Sequence, residues 1–193
     1  MTVQKKEIKP YKVLKSIFLL LFLGLFTVAV TPAANAASSK KINTRVQESL
    51  ASFREDDRGA NEILSKAKGV LVFPHVYQAG IGLGGKYGEG ALLVHGKTVN
   101  YYRLIAGSFG WQLGGQRKSV ILAFMNEDVF NKFKNSEGWQ VGVDAAATVV
   151  TVGKEGSINT QNLNAPVLAF IVDQKGLMYN LSLEGTKITK IKK

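Results

Sequence analysis

The sequence predicts an α+β fold: N-terminal helices followed by a mostly antiparallel, strongly curved sheet or half-barrel with one inserted helix. Two observations support this fold class. Residues 39–68 place apolar side chains at helical spacing, whereas residues 69–193 contain many short apolar runs separated by turn residues. The chain also has 20 glycines, several of them inside the strand-like runs. Since interior glycines in strands usually mark bends or close approach, we expect the sheet to curl.

The N-terminal helical segment is predicted to consist of two helices. The apolar stripe of the first comprises Ile42, Val46, Leu50 and Phe53, which fall on one helical face. Gly59 indicates a break, after which a second, shorter stripe runs from Ala60 to Ala67. Gly69 follows as the expected C-cap of that second helix.

The remainder of the chain is predicted to be strands around one helix. The predicted strands are 70–73 (closed by Pro74), 78–86 and 89–95 (flanking a turn at Tyr87-Gly88), 98–104, 119–125, 139–143, 146–152, 166–172, 177–183 and 187–191. Residues 107–115 are turn-rich, and 154–165 form the longest predicted loop. The inserted helix is predicted at 126–135, where Asn126 is a good N-cap and Glu127 and Asp128 complement the helix dipole.

Residues 1–36 are predicted to be a secretory signal. Lysines precede an uncharged run of 14 residues from Ile17 to Val30, and Ala34-Asn35-Ala36 matches the small-x-small pattern of a cleavage site. The run is shorter than the ~20 apolar residues of a membrane-spanning helix, so an uncleaved anchor is the less favoured alternative. Cleavage after Ala36 would leave a periplasmic or secreted domain of 157 residues, with a helical segment at 37–68 and a glycine-rich β core at 69–193.

The charge balance favours anionic partners. The chain has a net charge of +11, of which +7 remains on residues 37–193. We expect no nucleic-acid binding, because part of the basicity belongs to the predicted signal and an exported protein rarely meets nucleic acid. The chain has no cysteine, which excludes a cysteine-linked lipid anchor, thiol catalysis and cysteine-ligated metal sites.

No motif predicts catalysis, a metal site or a cofactor. The two histidines, His75 and His95, are too few for a zinc site and are expected to be surface or hydrogen-bonded residues. Residues 80–85 match G-x-G-x-x-G, but the segment after them is strand-like and lacks the acid of a dinucleotide site. Residues 106–110 resemble a nucleophile elbow but begin with alanine. We therefore expect a protein that is not an enzyme.

Six ordered blocks of residues carry a resemblance to a known family. The blocks are 67–74 (AKGVLVFP), 79–85 (AGIGLGG), 88–90 (GEG), 108–116 (SFGWQLGGQ), 176–178 (GLM) and 182–188 (SLEGTKI). Together they resemble the SYLF domain over roughly Leu50 to the C-terminus. Eukaryotic members of that family bind phosphoinositides at membranes, and some regulate actin. Many bacterial members are exported single-domain proteins, which is the kind this sequence resembles.

The resemblance and the charge together predict peripheral binding to an anionic lipid surface. The alternative is a periplasmic or secreted protein-interaction or scaffold module, including a host-directed actin or phosphoinositide role. The candidate lipid-binding residues are the basic side chains beside the helical stripes: Lys40, Lys41, Arg45, Arg54, Arg58, Lys66 and Lys68. The C-terminal lysines, from Lys187 to Lys193, form a second basic cluster. The first helix either lies in a membrane interface or packs its stripe on the sheet, and its Glu48 and Glu55 favour packing.

One glycine-lined strand face is a further candidate site. Gly80, Gly82 and Gly84 alternate, so in a regular strand all three fall on the same face. Such a face lets a helix or a ligand approach to backbone contact, and a packed helix is the favoured interpretation.

Overall fold

A computed structural model describes residues 37–56, 59–151, 165–176 and 183–193. The predicted signal at 1–36, Arg58, nearly all of the loop at 154–165 and the predicted strand at 177–183 except its last residue lie outside the described residues. Residues 37–193 form one compact unit, and both of its hydrophobic cores lie within it. A unit with its own cores is expected to fold by itself.

The described elements are three helices and six strands. The helices are α1 (Ser39–Asp56), α2 (Ala60–Lys66) and α3 (Glu127–Asn135). The strands are β1 (Gly69–Val94), β2 (Lys97–Phe124), β3 (Gly138–Gln140), β4 (Ala147–Thr151), β5 (Val167–Gly176) and β6 (Lys187–Ile191). They form one sheet in the order β3-β6-β2-β5-β4, with β1 paired along β2, and only the β4–β5 pair in the described sheet is parallel. The predicted fold class, an α+β half-barrel with an inserted helix, is confirmed.

Of the predicted strand breaks within 69–124, the one between 95 and 98 is confirmed, since β1 ends at Val94 and β2 begins at Lys97, and the other three are wrong. The chain runs through Pro74, Tyr87-Gly88 and 107–115 as two continuous strands, β1 and β2. Pro74 is tolerated because it lies where the β1–β2 register shifts, between Phe73 and Val76, so its missing N–H removes no regular ladder bond. Gly69 is not a C-cap either, since it begins β1 and Ala67 caps α2.

The sheet buries both of its faces. On one face, α1 and α2 pack against alternate sheet residues such as Val72, Ile121 and Phe170. On the other face, the intervening residues of the same strands pack against α3 and Trp139. The Phe124 and Phe133 rings stack there with their centroids 4.7 Å apart. The helix α3 begins as predicted. The buried members of the helical stripes are Ile42, Val46, Leu50, Phe53, Ala60 and Ile63.

Two glycines allow β1 to curl onto itself. A Cβ on Gly88 would lie 3.0 Å from the carbonyl oxygen of His75, and a Cβ on Gly90 would overlap the carbonyl oxygen of Val72. The second half of β1 therefore crosses its first half at backbone contact. Close approach through glycine was predicted for Gly80–Gly84, and at Gly88 and Gly90 the structure shows it directly.

Candidate functional site

The start of α1 and the C-terminus of the chain meet at one carboxylate. The backbone N–H of Ala37 donates a hydrogen bond of 3.1 Å to Glu89 Oε2, and Lys193 Nζ lies 2.9 Å from the same oxygen. The Lys193 and Glu89 side chains are only 9% and 12% exposed, so this ion pair is largely shielded from water. Tyr87 donates to the other carboxylate oxygen. Glu89, a residue of β1, thus holds the start of α1 and the C-terminus close together, although these two segments are distant in sequence.

Further contacts fix the same end of the fold. The Asn43 side chain of α1 hydrogen-bonds the Tyr101 hydroxyl at 3.0 Å and the Thr98 hydroxyl at 3.2 Å. Tyr101 is also the residue of β2 that pairs with Ile191 of β6. The β1–β2 turn at His95-Gly96 is nearby, because Val94 pairs with Lys97.

Five exposed lysines consequently lie at this end of the sheet. We call them the basic end surface: Lys40, Lys41, Lys97, Lys190 and Lys192. A groove of about 520 Å³ runs beside the last two, lined by Val99, Tyr101 and Ile191 with the acid Glu137.

The residues predicted to bind lipid do not form a single surface. Lys40 and Lys41 belong to the basic end surface, but Arg54 lines a separate groove with Asn61 and His95. Lys66 and Lys68 pair with acids. The pairs are Lys66–Glu62 at 2.6 Å and Lys68–Glu127 at 3.7 Å, and Arg58 lies outside the described residues.

The structure corrects one of the two interpretations of the first helix. Its apolar stripe faces the sheet, with Ile42 2% exposed and Val46 and Phe53 fully buried, so it cannot insert into a membrane interface. Within the described residues, no helix combines the length and the hydropathy that crossing a membrane requires.

A second cluster of charged and polar side chains lines a cleft of about 250 Å³ between α1 and the strands β1, β2 and β5. We call it the polar cleft; its lining residues are Arg45, Glu48, Ser49, Ser52, Pro74, His75, Arg117, Lys118, Ser119 and Asp173. The Ser119 hydroxyl donates a hydrogen bond of 2.8 Å to the carbonyl oxygen of Pro74, and its oxygen lies 3.2 Å from the Ser49 hydroxyl oxygen. The Ser52 hydroxyl donates a hydrogen bond of 3.0 Å to the Asp173 carboxylate. These bonds join α1 to β2 and β5, and they join β2 to β1.

Residues 105–193 match the model of a protein family described as Ysc84, Las17-binding protein actin regulator. Over these residues the predicted resemblance to the SYLF domain family is confirmed. No curated protein matches the chain. The matched segment begins within β2 and includes Arg117, Asp173 and Lys190, so it contributes to both the polar cleft and the basic end surface.

Burial shapes the titration of the polar cleft in this SYLF domain. Lys118 is 1% exposed, and burial, with a smaller contribution from the nearby Lys86, lowers its pKa to about 8. Burial also lowers the pKa of His75, and the positive charges of Arg45 and Arg117 lower it further. Among the described residues, the Nδ1 atom of His75 is buried without a hydrogen-bond partner.

Sequence reasoning missed this environment of His75. The prediction was a surface or hydrogen-bonded residue, whereas the side chain is half-buried and has an unpaired ring nitrogen. The signal available in the sequence was a Pro74-His75 pair between the apolar run 70–73 and Val76, which is typical of a bulge. In contrast, His95 is exposed, in the β1–β2 turn.

The side chains of the polar cleft are not arranged as a hydrolase triad. Asp173 accepts a hydrogen bond from Ser52, and in the described part of the chain no hydrogen bond joins His75 to either Asp173 or Ser119. Over the described ranges, no group of three His, Asp or Glu side chains is placed to hold a metal ion.

The glycine-lined face lies in the paired part of the sheet. Gly80, Gly82 and Gly84 pair with Gly114, Gly110 and Ser108 of β2. The register shifts between Gly80 and Gly82, where the two strands contribute unequal numbers of residues. The side-chain surroundings of Gly82 lie outside the described residues, so the close approach proposed for this face stays a prediction.

Proposed function

We propose that this SYLF protein is a non-enzymatic, exported protein that binds anionic lipid surfaces peripherally through the basic end surface. The observation that carries the proposal is that Ala37 and Lys193 both contact the Glu89 carboxylate. It brings the lysines of α1 and those of the C-terminus, which are far apart in sequence, to one end of the sheet.

The charge of this surface suits an anionic bilayer. Each basic residue near such a surface contributes about 1 kcal/mol to binding. Because the apolar stripe of α1 is buried, the attraction is electrostatic and weakens as salt shortens the Debye length from ~10 Å at 0.1 M. Val99, 47% exposed beside the groove, presents a large apolar side chain to solvent at this end.

Export is supported by the extent of the compact unit. That unit begins at Ala37, directly after the predicted cleavage position, and contains both hydrophobic cores. N-terminal sequencing of the protein recovered outside the cytoplasm tests this part: a mature N-terminus at Ala37 is expected, and an intact Met1 contradicts it.

Vesicle co-sedimentation with matched charge variants tests lipid binding. The test variant replaces Lys40, Lys41, Lys190 and Lys192 with Gln, and the protein used is residues 37–193. Four contributions of about 1 kcal/mol predict binding weaker on the order of 10³-fold. The vesicles contain phosphatidylglycerol or cardiolipin and are used at low salt.

The control variant removes the same charge elsewhere. It replaces the exposed residues Lys66, Lys68, Lys132 and Lys134 with Gln and should lose far less affinity. Equal losses in both variants would show that net charge, and not this surface, drives binding. Absence of binding by the unmodified protein at low salt would refute the lipid proposal.

A protein-binding role is the second candidate, because the matched family is described by Las17 binding and actin regulation. It predicts co-sedimentation with actin filaments, or capture of a protein partner, that persists as salt rises. Filament binding without vesicle binding would favour this second role over the first.

A further inference from the structure

We propose that the polar cleft is a binding site for a small oxyanion of the phosphate class. The cleft is separate from the basic end surface, since it lies at the middle of α1 and that surface includes its first turn. The inference therefore goes beyond the proposed membrane binding.

The backbone leaves regular sheet geometry around this cleft. The β1–β2 register shifts between Phe73 and Val76, and the β2–β5 register shifts between Arg117 and Ser119. Asp173 adopts φ +52°, a left-handed conformation that costs a non-glycine residue about 1–3 kcal/mol. Such irregularities are concentrated at functional sites, where the surrounding structure maintains them. Here residues at these irregularities line the cleft, namely Pro74 and His75 on β1, Lys118 on β2 and Asp173 on β5.

The cations around the cleft outnumber the acids. Arg45, Arg117 and Lys118 contribute three positive charges, and Glu48 and Asp173 contribute two negative ones. Asp173 already accepts a hydrogen bond from Ser52, which partly satisfies its charge. Arginine guanidinium groups bind phosphate-type anions through paired, charge-assisted hydrogen bonds.

The charged groups around His75 together disfavour its protonation. Arg45 and Arg117 lower its pKa by larger amounts than Glu48 and Asp173 raise it. An anion in the cleft would offset the two guanidinium groups and so raise the pKa of His75. The buried, unpaired Nδ1 of His75 shows that the ring's hydrogen bonding is incomplete among the described residues.

The two histidines of the chain make a direct test possible. Imidazole NMR signals of residues 37–193 are followed while inorganic phosphate is added at constant ionic strength. We expect saturable shifts of the His75 signals and a raised His75 pKa, with His95 in the β1–β2 turn as the internal control. Unchanged His75 signals, or equal unsaturable shifts of both histidines, would overturn the proposal.

Charge variants locate the anion. Losing one charge-assisted hydrogen bond weakens binding about tenfold, so Arg45→Gln and Arg117→Gln should each raise the phosphate dissociation constant by that factor. Arg54→Gln removes the same charge from α1 at a different groove and should leave the constant unchanged. Equal effects of all three variants would contradict a site in the cleft.

The pH dependence provides an independent check, with sulfate as the probe because its charge is constant above neutrality. The charged and titratable groups that line the cleft are Arg45, Glu48, His75, Arg117, Lys118 and Asp173, and Lys86 lies near Lys118. Lys118 loses its charge as the pH rises through about 8, so sulfate binding should weaken between pH 7 and about 9. Binding that is constant over this range would contradict a role for Lys118.

A parallel experiment with lipid vesicles identifies whether the phosphate group belongs to a lipid or to a dissolved anion. Phosphatidic acid vesicles are added to the unmodified protein and to an Arg45→Gln, Arg117→Gln double variant. If only the unmodified protein shows a shift of His75 with vesicles, the cleft takes a lipid headgroup. If inorganic phosphate shifts His75 and vesicles do not, the ligand is a dissolved anion. Either result supports an oxyanion site, and no response to both probes removes it.

Discussion

The crossing of β1 over itself predicts a large difference between two glycine substitutions. A Cβ on Gly90 would overlap the carbonyl oxygen of Val72 and press on the Phe73 ring, whereas a Cβ on Gly107 would meet no atom within 4 Å. The overlap at Gly90 is with backbone, which cannot rotate away, so the strands must separate. Forced expansion of a packed core costs about 1–3 kcal/mol, and we expect Gly90→Ala to reach the upper end of that range.

Thermal unfolding of residues 37–193, followed by circular dichroism, measures this difference. For a domain of this size, about 3 kcal/mol corresponds to a decrease in Tm of roughly 6–12 °C. Gly107→Ala is the matched control, since it adds the same methyl group to β2 where space is open, and its Tm should change little. Equal Tm values for the two variants would refute the close crossing at Gly90.

Three further substitutions test other parts of the fold. Phe53→Ala removes a fully buried ring 4.7 Å from that of Phe170 and should cost about 3–5 kcal/mol in urea unfolding; a loss below ~1 kcal/mol would contradict packing of α1 on the sheet. Asn126→Ala removes the oxygen that accepts from the Val129 N–H and should cost about 1 kcal/mol, while Asn126→Asp should retain most of the stability. Because the pKa of Lys118 is lower in the fold than in the unfolded chain, the unfolded state binds more protons between the two values. The free energy of unfolding should therefore rise from pH 8 toward pH 10, and Lys118→Met should flatten that rise.

Elements set by local patterns were predictable. The helix at 127–135 carries its own N-cap and dipole-matching acids, and the strand at 187–191 was predicted with its observed bounds. The break at Gly59 also follows from local chemistry, because it separates two helical stripes. In each case the deciding residues lie within a few positions of the element they determine.

Continuity of the long strands was not predictable from local signals. Pro74 and the glycines at 107–115 usually interrupt strands, but here bulges and the partner strand accommodate them. Whether a glycine bends a strand or ends it depends on the residues across the ladder. Those residues lie tens of positions away along the chain.

The candidate sites depend on the same distant pairing. Composition identified basic clusters near Lys40 and in the C-terminal tail, but their meeting at Glu89 depends on the β2–β6 register and on the docking of α1. The polar cleft draws residues from four elements, and no pair among them has a motif spacing. His75 illustrates this, since only the bulge on β1 and the arginines of α1 and β2 give it an unusual environment.

The most direct test of the central claim is a double-mutant cycle on vesicle binding. The dissociation constant for anionic vesicles at low salt is measured for Lys40→Gln with Lys41→Gln, for Lys190→Gln with Lys192→Gln, and for the combination. If both clusters form one surface, each pair should weaken binding about 30-fold, and the losses should add in free energy. If one pair accounts for the entire loss and the other has no effect, the two clusters do not act as one lipid-binding surface.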